Sequence, residues 1–314
     1  MQRIGRLLLC LALCCALSAC AKPAPAPTTA EGTTTATPKE STVFEPTSGE
    51  ENGIAWRALD SESKAVKDFT QAWFHDYYNP KPRDGVALSG IVKVSEKPTG
   101  KYGAREIWMR DEATGKETLL LGFDEENSLI PCLIDAVDSR YFLFLRAIMD
   151  SDGFGWPMLY DTQEKREIEI QYPDGGGNYV QTANGKLYFV YASGGLGTGG
   201  GVGLHVLCAE LSALEKGESL AANDVLKGMP AYDALLEVMP DYDAHYALSP
   251  DARYFAIFVD NGSPVLHVFD ITRRELAFIL ELPQALGDNL RLAFLDAHTL
   301  YWFGDQNIIE ITLP

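Results

Sequence analysis

The chain has 314 residues, 46% of them hydrophobic, a formal net charge of −18 and a pI near 4.6. That length holds one large domain or two small ones. The charge excludes nucleic acid and anionic lipid surfaces as electrostatic partners and leaves cationic groups, Ca²⁺, neutral glycans and peptides.

Arg3 and Arg6 form a short basic start, and Leu7 to Leu17 is an apolar run. The run is far shorter than the ~20 residues that span a bilayer, so it reads as an export signal. It ends in Leu17-Ser18-Ala19-Cys20, which resembles the lipobox of bacterial lipoproteins over these first twenty residues. The resemblance implies that residues 1–19 are a signal peptide and that Cys20 opens the mature chain. A diacylglycerol thioether and palmitate-type acyl chains on Cys20 would hold the protein on the extracytoplasmic face of the cell membrane. Cys10, Cys14 and Cys15 fall in the removed segment, leaving Cys132 and Cys208 inside apolar runs. These two read as buried free thiols on different strand layers. No CxxC or Cys/His spacing suggests a metal, and no cofactor is expected.

From residue 20 to 52 the chain turns to Pro, Thr, Ala, Gly and Glu, as in AKPAPAPTTAEGTTTATPKE. This composition predicts a disordered tether with a mean reach of roughly 30 Å, or about 100 Å when extended. The folded part is expected over 53–314. Its first element is an amphipathic helix over 61–79, with Ala65, Val66, Phe69, Ala72, Trp73 and Tyr77 at three- and four-residue steps, a cap at Asp60 or Ser61 and a stop at Pro80.

Residues 86–314 read as all-β and repetitive. Asp138-Ser-Arg-Tyr-Phe-Leu, Asp251-Ala-Arg-Tyr-Phe-Ala, Asn184-Gly-Lys-Leu-Tyr-Phe and Ala297-His-Thr-Leu-Tyr-Trp each place a turn before an aromatic strand. Taking Tyr141, Leu187, Tyr254 and Leu300 as equivalent gives spacings of 46, 67 and 46 residues. WMRDEATGKE, LYDTQEKRE and VFDITRRE set Asp111, Asp161 and Asp270 at strand ends, where an aspartate bonds the backbone of a tight turn. Periods of 40–50 residues in all-strand sequence predict a β-propeller, here of five blades. ALSPDARYFAIF, residues 247–258, resembles the Ser-Pro-Asp-Gly strand entry of TolB-like and WD40-like propellers, with Ala252 in place of glycine. The Trp-Asp and Gly-His signatures of WD40 blades are absent. Blade three carries an excess around Glu210–Tyr242, read as a small helical insert. The last blade lacks its outer strand, which Ile54–Leu59 or Ile91–Ser95 could supply.

Gly195-Leu-Gly197-Thr-Gly199-Gly200 fits G-x-G-x-x-G. A strand rather than a helix follows it, so it reads as a surface hairpin and not a pyrophosphate cradle. His205 and His267 share a register position with Trp108 and Met158, which marks a packing site between blades. His75, His245 and His298 are scattered. Asp150, Asp152, Gly155 and Asp161 mimic an EF-hand count, but Phe154 occupies a ligand position and Asp161 belongs to the turn series. The sialidase-type Asp box is absent, and Glu125-Glu126 reads as a solvated turn rather than a glycosidase pair. No catalytic or metal-binding residue is predicted.

Specificity in a propeller comes from departures from the repeat, and the largest lies in blade three. Its insert combines Tyr232, Asp233, Tyr242 and Asp243, to which Trp156 adds a stacking surface; these five are the expected ligand contacts. The competing reading has Leu235, Leu236 and Val238 packing a helix over the ring, with the acids facing water. The expected function is a monomeric, lipid-anchored binding or scaffolding module of the bacterial cell envelope, with a protein or glycan partner and no nucleic acid. The alternatives are a polysaccharide hydrolase or lyase and a sensor or accessory subunit of a membrane complex.

Overall fold

The computed structural model describes residues 48–51, 53–59, 63, 66–69, 85–99, 104–148, 155–172, 176–192, 204–217, 219–238, 244–259, 265–281, 290–304 and 307–314. All of them belong to one compact unit, Phe44–Pro314. The expected signal peptide, Cys20, most of the expected tether and of the expected 61–79 helix, the 193–203 glycine stretch, Asp150 and Asp152, and Tyr242 and Asp243 lie outside the described residues.

The described residues fold into successive antiparallel meanders, the last of five strands and the others of four. The first holds β3 (Val86–Ser89), β4 (Val92–Pro98), β5 (Arg105–Asp111) and β6 (Glu117–Leu121). The second holds β7 (Leu129–Ala136), β8 (Tyr141–Ile148), β9 (Gly155–Asp161) and β10 (Arg166–Gln171). β11 (Gly176–Ala183), β12 (Lys186–Ala192), β13 (Leu204–Glu210) and β14 (Leu220–Asp224) form the third. β15 (Ala244–Leu248), β16 (Tyr254–Val259), β17 (Val265–Asp270) and β18 (Glu275–Glu281) form the next. The last combines β19 (Arg291–Phe294), β20 (Thr299–Phe303) and β21 (Ile308–Thr312) with β2 (Ile54–Leu59) and β1 (Ser48–Glu51) from the N-terminal side. Among the described residues from β3 onward, two short helices stand between strands, α1 (Ser212–Glu215) and α2 (Pro230–Val238).

Each pair of successive meanders encloses its own apolar core. Val94, Ile107, Phe142 and Phe144 fill the first junction, and Leu143, Leu187, Phe189 and Leu207 the second. Val190, Phe255, Ile257 and Tyr232 fill the third, and Tyr254, Phe258, Leu300 and Trp302 the fourth. Sequential meanders stacked face to face through alternating strand residues are the organisation of a β-propeller. The far face of the last meander is covered by the helical residues 66–69 instead: Phe69 meets Tyr301 and Phe303 edge-on at 4.9 and 5.4 Å.

One backbone bond repeats through the unit. The residue after the third strand donates to the carbonyl just before the second: Glu112 to Ile91, Thr162 to Arg140, Leu211 to Gly185, Ile271 to Arg253 and Leu313 to His298, all at 2.7–3.1 Å. Counting two residues on from the last four acceptors places Phe142, Leu187, Phe255 and Leu300 on one face, packed against the preceding meander. The expected set mixed two faces. Tyr141 and Tyr254 are equivalent to each other, but Leu187 and Leu300 correspond to their neighbours Phe142 and Phe255, because the turns before the strands differ in length. The same register keeps Trp108, Met158 and His267 together, opposite Ser95, Phe144 and Ile257. Leu207 fills that place in the third meander, opposite Phe189; His205 sits two residues along, opposite Tyr191.

Ile54–Leu59, not Ile91–Ser95, supplies the missing strand. β2 pairs with β21 from Ala55 opposite Thr312 to Leu59 opposite Ile308, while Val92–Pro98 serves its own meander. Ser48–Glu51, read above as tether, adds β1 outside β2. Gly49 permits this, since a Cβ there would lie 2.3 Å from the Trp56 ring. Ala252, at the position the TolB-like entry gives to glycine, has φ +56° and is buried against the third junction. The left-handed backbone explains why glycine suits the site.

The second and third meanders are joined at two further places. β10 pairs with β14 in parallel, and Gly155 of β9 pairs with Gly177 of β11. A Cβ on Gly155 would fall 2.7 Å from the Arg146 carbonyl oxygen and 2.8 Å from Ala147 Cα. Backbone cannot swing aside as a side chain can, so Gly155→Ala is expected to cost about 2 kcal/mol. A denaturant midpoint equal to wild type would show that the join tolerates the methyl.

Candidate functional site

The strands leave the meanders at two chemically different ends. At one end the turns are tight and the aspartates that begin them are hydrogen-bonded. Asp111 Oδ1 accepts from Ala113 and Thr114 N–H, both at 2.9 Å. Asp161 Oδ1 accepts from Gln163 and Glu164 at 3.0 and 3.1 Å, and Asp270 Oδ1 from Arg273 at 2.8 Å. These are the turn bonds the sequence predicts for the three aspartates. Arg140 Nε donates to Asp161 at 2.9 Å, and Arg253 Nε donates to Asp270 at 3.2 Å. The Arg140 guanidinium and the two turn N–H groups hold the Asp161 carboxyl below the usual carboxylate range, against an opposing push from burial. Asp111 is lowered chiefly by its bond from Thr114 N–H.

The opposite end carries the longer connections. Among the described residues there, the connection 122–128 between β6 and β7 holds Asp124, Glu125 and Glu126 and no Lys or Arg. Asp124 Oδ1 there accepts from Glu126 and Asn127 N–H at 3.1 and 3.2 Å, leaving Glu125 and Glu126 exposed on the turn. Trp156, at the start of β9, is 39% exposed, and Tyr179 of β11 contacts Tyr246 of β15 at 5.6 Å. Arg291 Nη1 lies 3.4 Å from His245 Nδ1, and the His245 ring stacks on Phe258 at 4.9 Å.

Of the expected ligand residues, Tyr232, Asp233 and Trp156 are described. Tyr232 is fully buried, its hydroxyl donating to the Leu204 carbonyl and its ring edge-on to Phe269 at 5.3 Å. Burial pushes its hydroxyl pKa far up. It is a core residue of the third junction. The insert does form a helix, α2, and Tyr232, Leu235 and Leu236 make its packed face. Val238 departs from the packing reading, being 71% exposed. Asp233 is exposed and accepts from Gly228 N–H at 3.4 Å. Trp156 is exposed on β9, while Tyr242 and Asp243 lie outside the described residues. Cys132 and Cys208 are both free thiols, on the first strand of one meander and the third of the next, with Cys132 pushed up to about 11 by burial. Among the described residues no three His, Cys, Asp or Glu side chains could hold a metal, and no helix is long and apolar enough to cross a membrane.

One chemically competent pair emerges that spacing does not announce. His205 Nδ1 lies 2.7 Å from Asp224 Oδ2. The two are nineteen residues apart and meet because β13 and β14 pair with Leu207 opposite Asp224. Asp224 Oδ1 also accepts from Leu226 at 2.9 Å and Lys227 at 3.1 Å, which fixes the carboxylate. His205 packs beside Tyr191, ring centroids 5.8 Å apart, and its side chain is 29% exposed. His267 has no such partner for its buried Nδ1, and burial depresses its pKa.

No protein-family model matches the sequence, and no curated protein does. Among solved structures, the chain is similar to TolB from Acinetobacter baumannii at 12% identity and TM-score 0.37, covering 74% of this chain and 54% of that one. It is similar to the β-propeller domain of the Trilobed protease from Pyrococcus furiosus at 10% identity and TM-score 0.39, covering 82% and 76%. A prolyl endopeptidase shows 12% identity and TM-score 0.41, covering 82% of this chain and 40% of that chain. At these values the propeller assignment rests on the strand pairing and the repeated backbone bond.

Proposed function

We propose that the chain is a five-bladed, TolB-like propeller, anchored by lipid on Cys20 to the extracytoplasmic face of a bacterial membrane, that acts as a monomeric binding module of the cell envelope. The basic start, the short apolar run and Leu17-Ser18-Ala19-Cys20 support the anchor. The five occurrences of the interstrand bond support the blade count. The observation that carries the binding reading is the turn Asp124-Glu125-Glu126, with no basic residue in 122–128 and with Glu125 and Glu126 exposed, on a chain of net charge −18. Charge of one sign raises the local concentration of oppositely charged partners. The partner is a cationic or neutral protein segment or glycan, and the acidic balance disfavours nucleic acid.

The test compares two charge-matched variants of the full chain. One changes Asp124, Glu125 and Glu126 to their amides in the 122–128 connection; the other changes Glu112, Glu164 and Glu215 at the tight-turn end. Binding to an immobilised lysine-rich peptide should fall about fivefold in the first variant and stay at the wild-type level in the second. Equal losses would reduce the effect to net charge and remove the reading. For the anchor, Cys20→Ser should abolish incorporation of a labelled fatty acid.

A further inference from the structure

We infer that His205 and Asp224 form a general-base dyad that gives the chain hydrolytic activity toward neutral acyl esters. A carboxylate has no proton to give at neutral pH, so the 2.7 Å contact requires His205 Nδ1 to carry the hydrogen. In the neutral imidazole Nε2 then carries the lone pair, on a side chain 29% exposed. Two backbone N–H bonds fix Asp224 and the Tyr191 ring flanks the imidazole, so the base is held in one tautomer and orientation. That arrangement is the base-and-orienter half of a hydrolytic site.

The pair is not part of the repeat. In the register of the interstrand bond, the position of His205 is held by Glu106, Trp156 and Val265 in other meanders, and that of Asp224 by Leu119, Glu169 and Ile279. A polar pair built once on a scaffold that works elsewhere without it marks a site rather than a fold requirement. Its chemistry restricts the substrate. Glycoside cleavage uses two carboxyl groups flanking the bond, whereas one imidazole suits water attack on a carbonyl. The chain's net charge of −18 turns away anionic esters.

In the step itself, water oxygen bonds to the acyl carbon as a water proton passes to His205 Nε2. The bond from that carbon to the ester oxygen then breaks, and the imidazolium returns the proton to the departing alcohol. A carboxylic acid and an alcohol result, and no proton passes to Asp224 in the step. His205 is the catalytic residue; Asp224 is a positioning residue.

The experiment measures hydrolysis of 4-nitrophenyl acetate by the full chain across pH 5–9. Wild type should exceed an equal concentration of free imidazole by about 10²-fold and rise with pH through a single ionisation. His205→Gln should fall to background and lose that rise. Asp224→Asn should lose at least tenfold and shift the rise, while Asp224→Glu recovers part of the rate. Melting curves accompany each variant; where His205→Gln unfolds, the Asp224→Asn profile decides. A wild-type rate no greater than free imidazole, or a pH profile unchanged in the folded variants, would overturn the assignment.

Discussion

Tyr232→Ala is expected to lower the melting temperature by roughly 10 °C. The ring lies within the third junction, against Phe255 and Phe269, and is fully buried. Truncating a buried aromatic costs about 4 kcal/mol through lost transfer energy and the cavity left behind. At about 2–4 °C per kcal/mol for a domain of this size, the shift should be plain in a calorimetric scan. Tyr232→Phe keeps the packing and gives up only the hydroxyl bond to Leu204, so it should cost about 1 kcal/mol. The leaving of the Leu204 carbonyl without that donor is the whole of its effect. If the alanine variant melts within two or three degrees of wild type, α2 is not seated as described. The result also decides how binding should be probed: a loss of ligand capture in Tyr232→Ala would report unfolding. Trp156, exposed and outside any junction core, is the aromatic to replace for that purpose.

Asp161→Ala should be the most damaging change at the tight-turn end, at about 3 kcal/mol. It removes a fully buried carboxylate that receives Arg140 and two backbone N–H groups, and bonds to a charged acceptor are worth about 1.5–3 kcal/mol. Asp161→Asn preserves an acceptor for the turn and should lose about half as much. The pH dependence has a definite sign. The folded carboxyl is held below its unfolded value, so its stabilisation is complete above about pH 4 and is lost as pH falls through the folded pKa. The gap between wild type and Asp161→Ala in urea midpoint should therefore be wide at pH 7 and shrink toward pH 2. A gap of constant size would mean that the turn geometry, not the charge, carries the effect.

Much of the strand order was legible because a turn aspartate and an aromatic run recur together. Asp111, Asp161 and Asp270 mark strand ends in sequence and cap turns in the structure. The one-residue slip at Leu187 and Leu300 arose because side chains alternate between faces, so an extra turn residue reverses which neighbour looks equivalent. Tyr232 was misjudged although its spacing to Leu235 and Leu236 is that of a buried helical stripe. Its aromatic ring and acidic neighbours suggested a surface; its place three and four residues before two leucines was the better guide. The His205–Asp224 pair left no local trace, since it depends on how two strands separated by α1 come into register. Long-range pairing of this kind is not encoded in any short window.

The closure of the last meander sets the order in which the molecule can be assembled. β2 comes from the beginning of the folded unit and β21 from its end, so Arg57 and Glu310, ion-paired at 2.7 Å, are 253 residues apart. A chain emerging from a ribosome or a translocation channel presents β1 and β2 first and must hold them without their partner until almost everything else has appeared. The intervening meanders can form as they emerge, but the final sheet cannot. Contacts at such sequence separation slow folding, because the entropy of closing the loop is lost before the pairing compensates. The early strands spend that interval as open edges, where pairing with another nascent chain is the competing outcome. The acidic residues Glu50 and Glu51 on β1 put like charges on that waiting edge and would discourage two copies from meeting there.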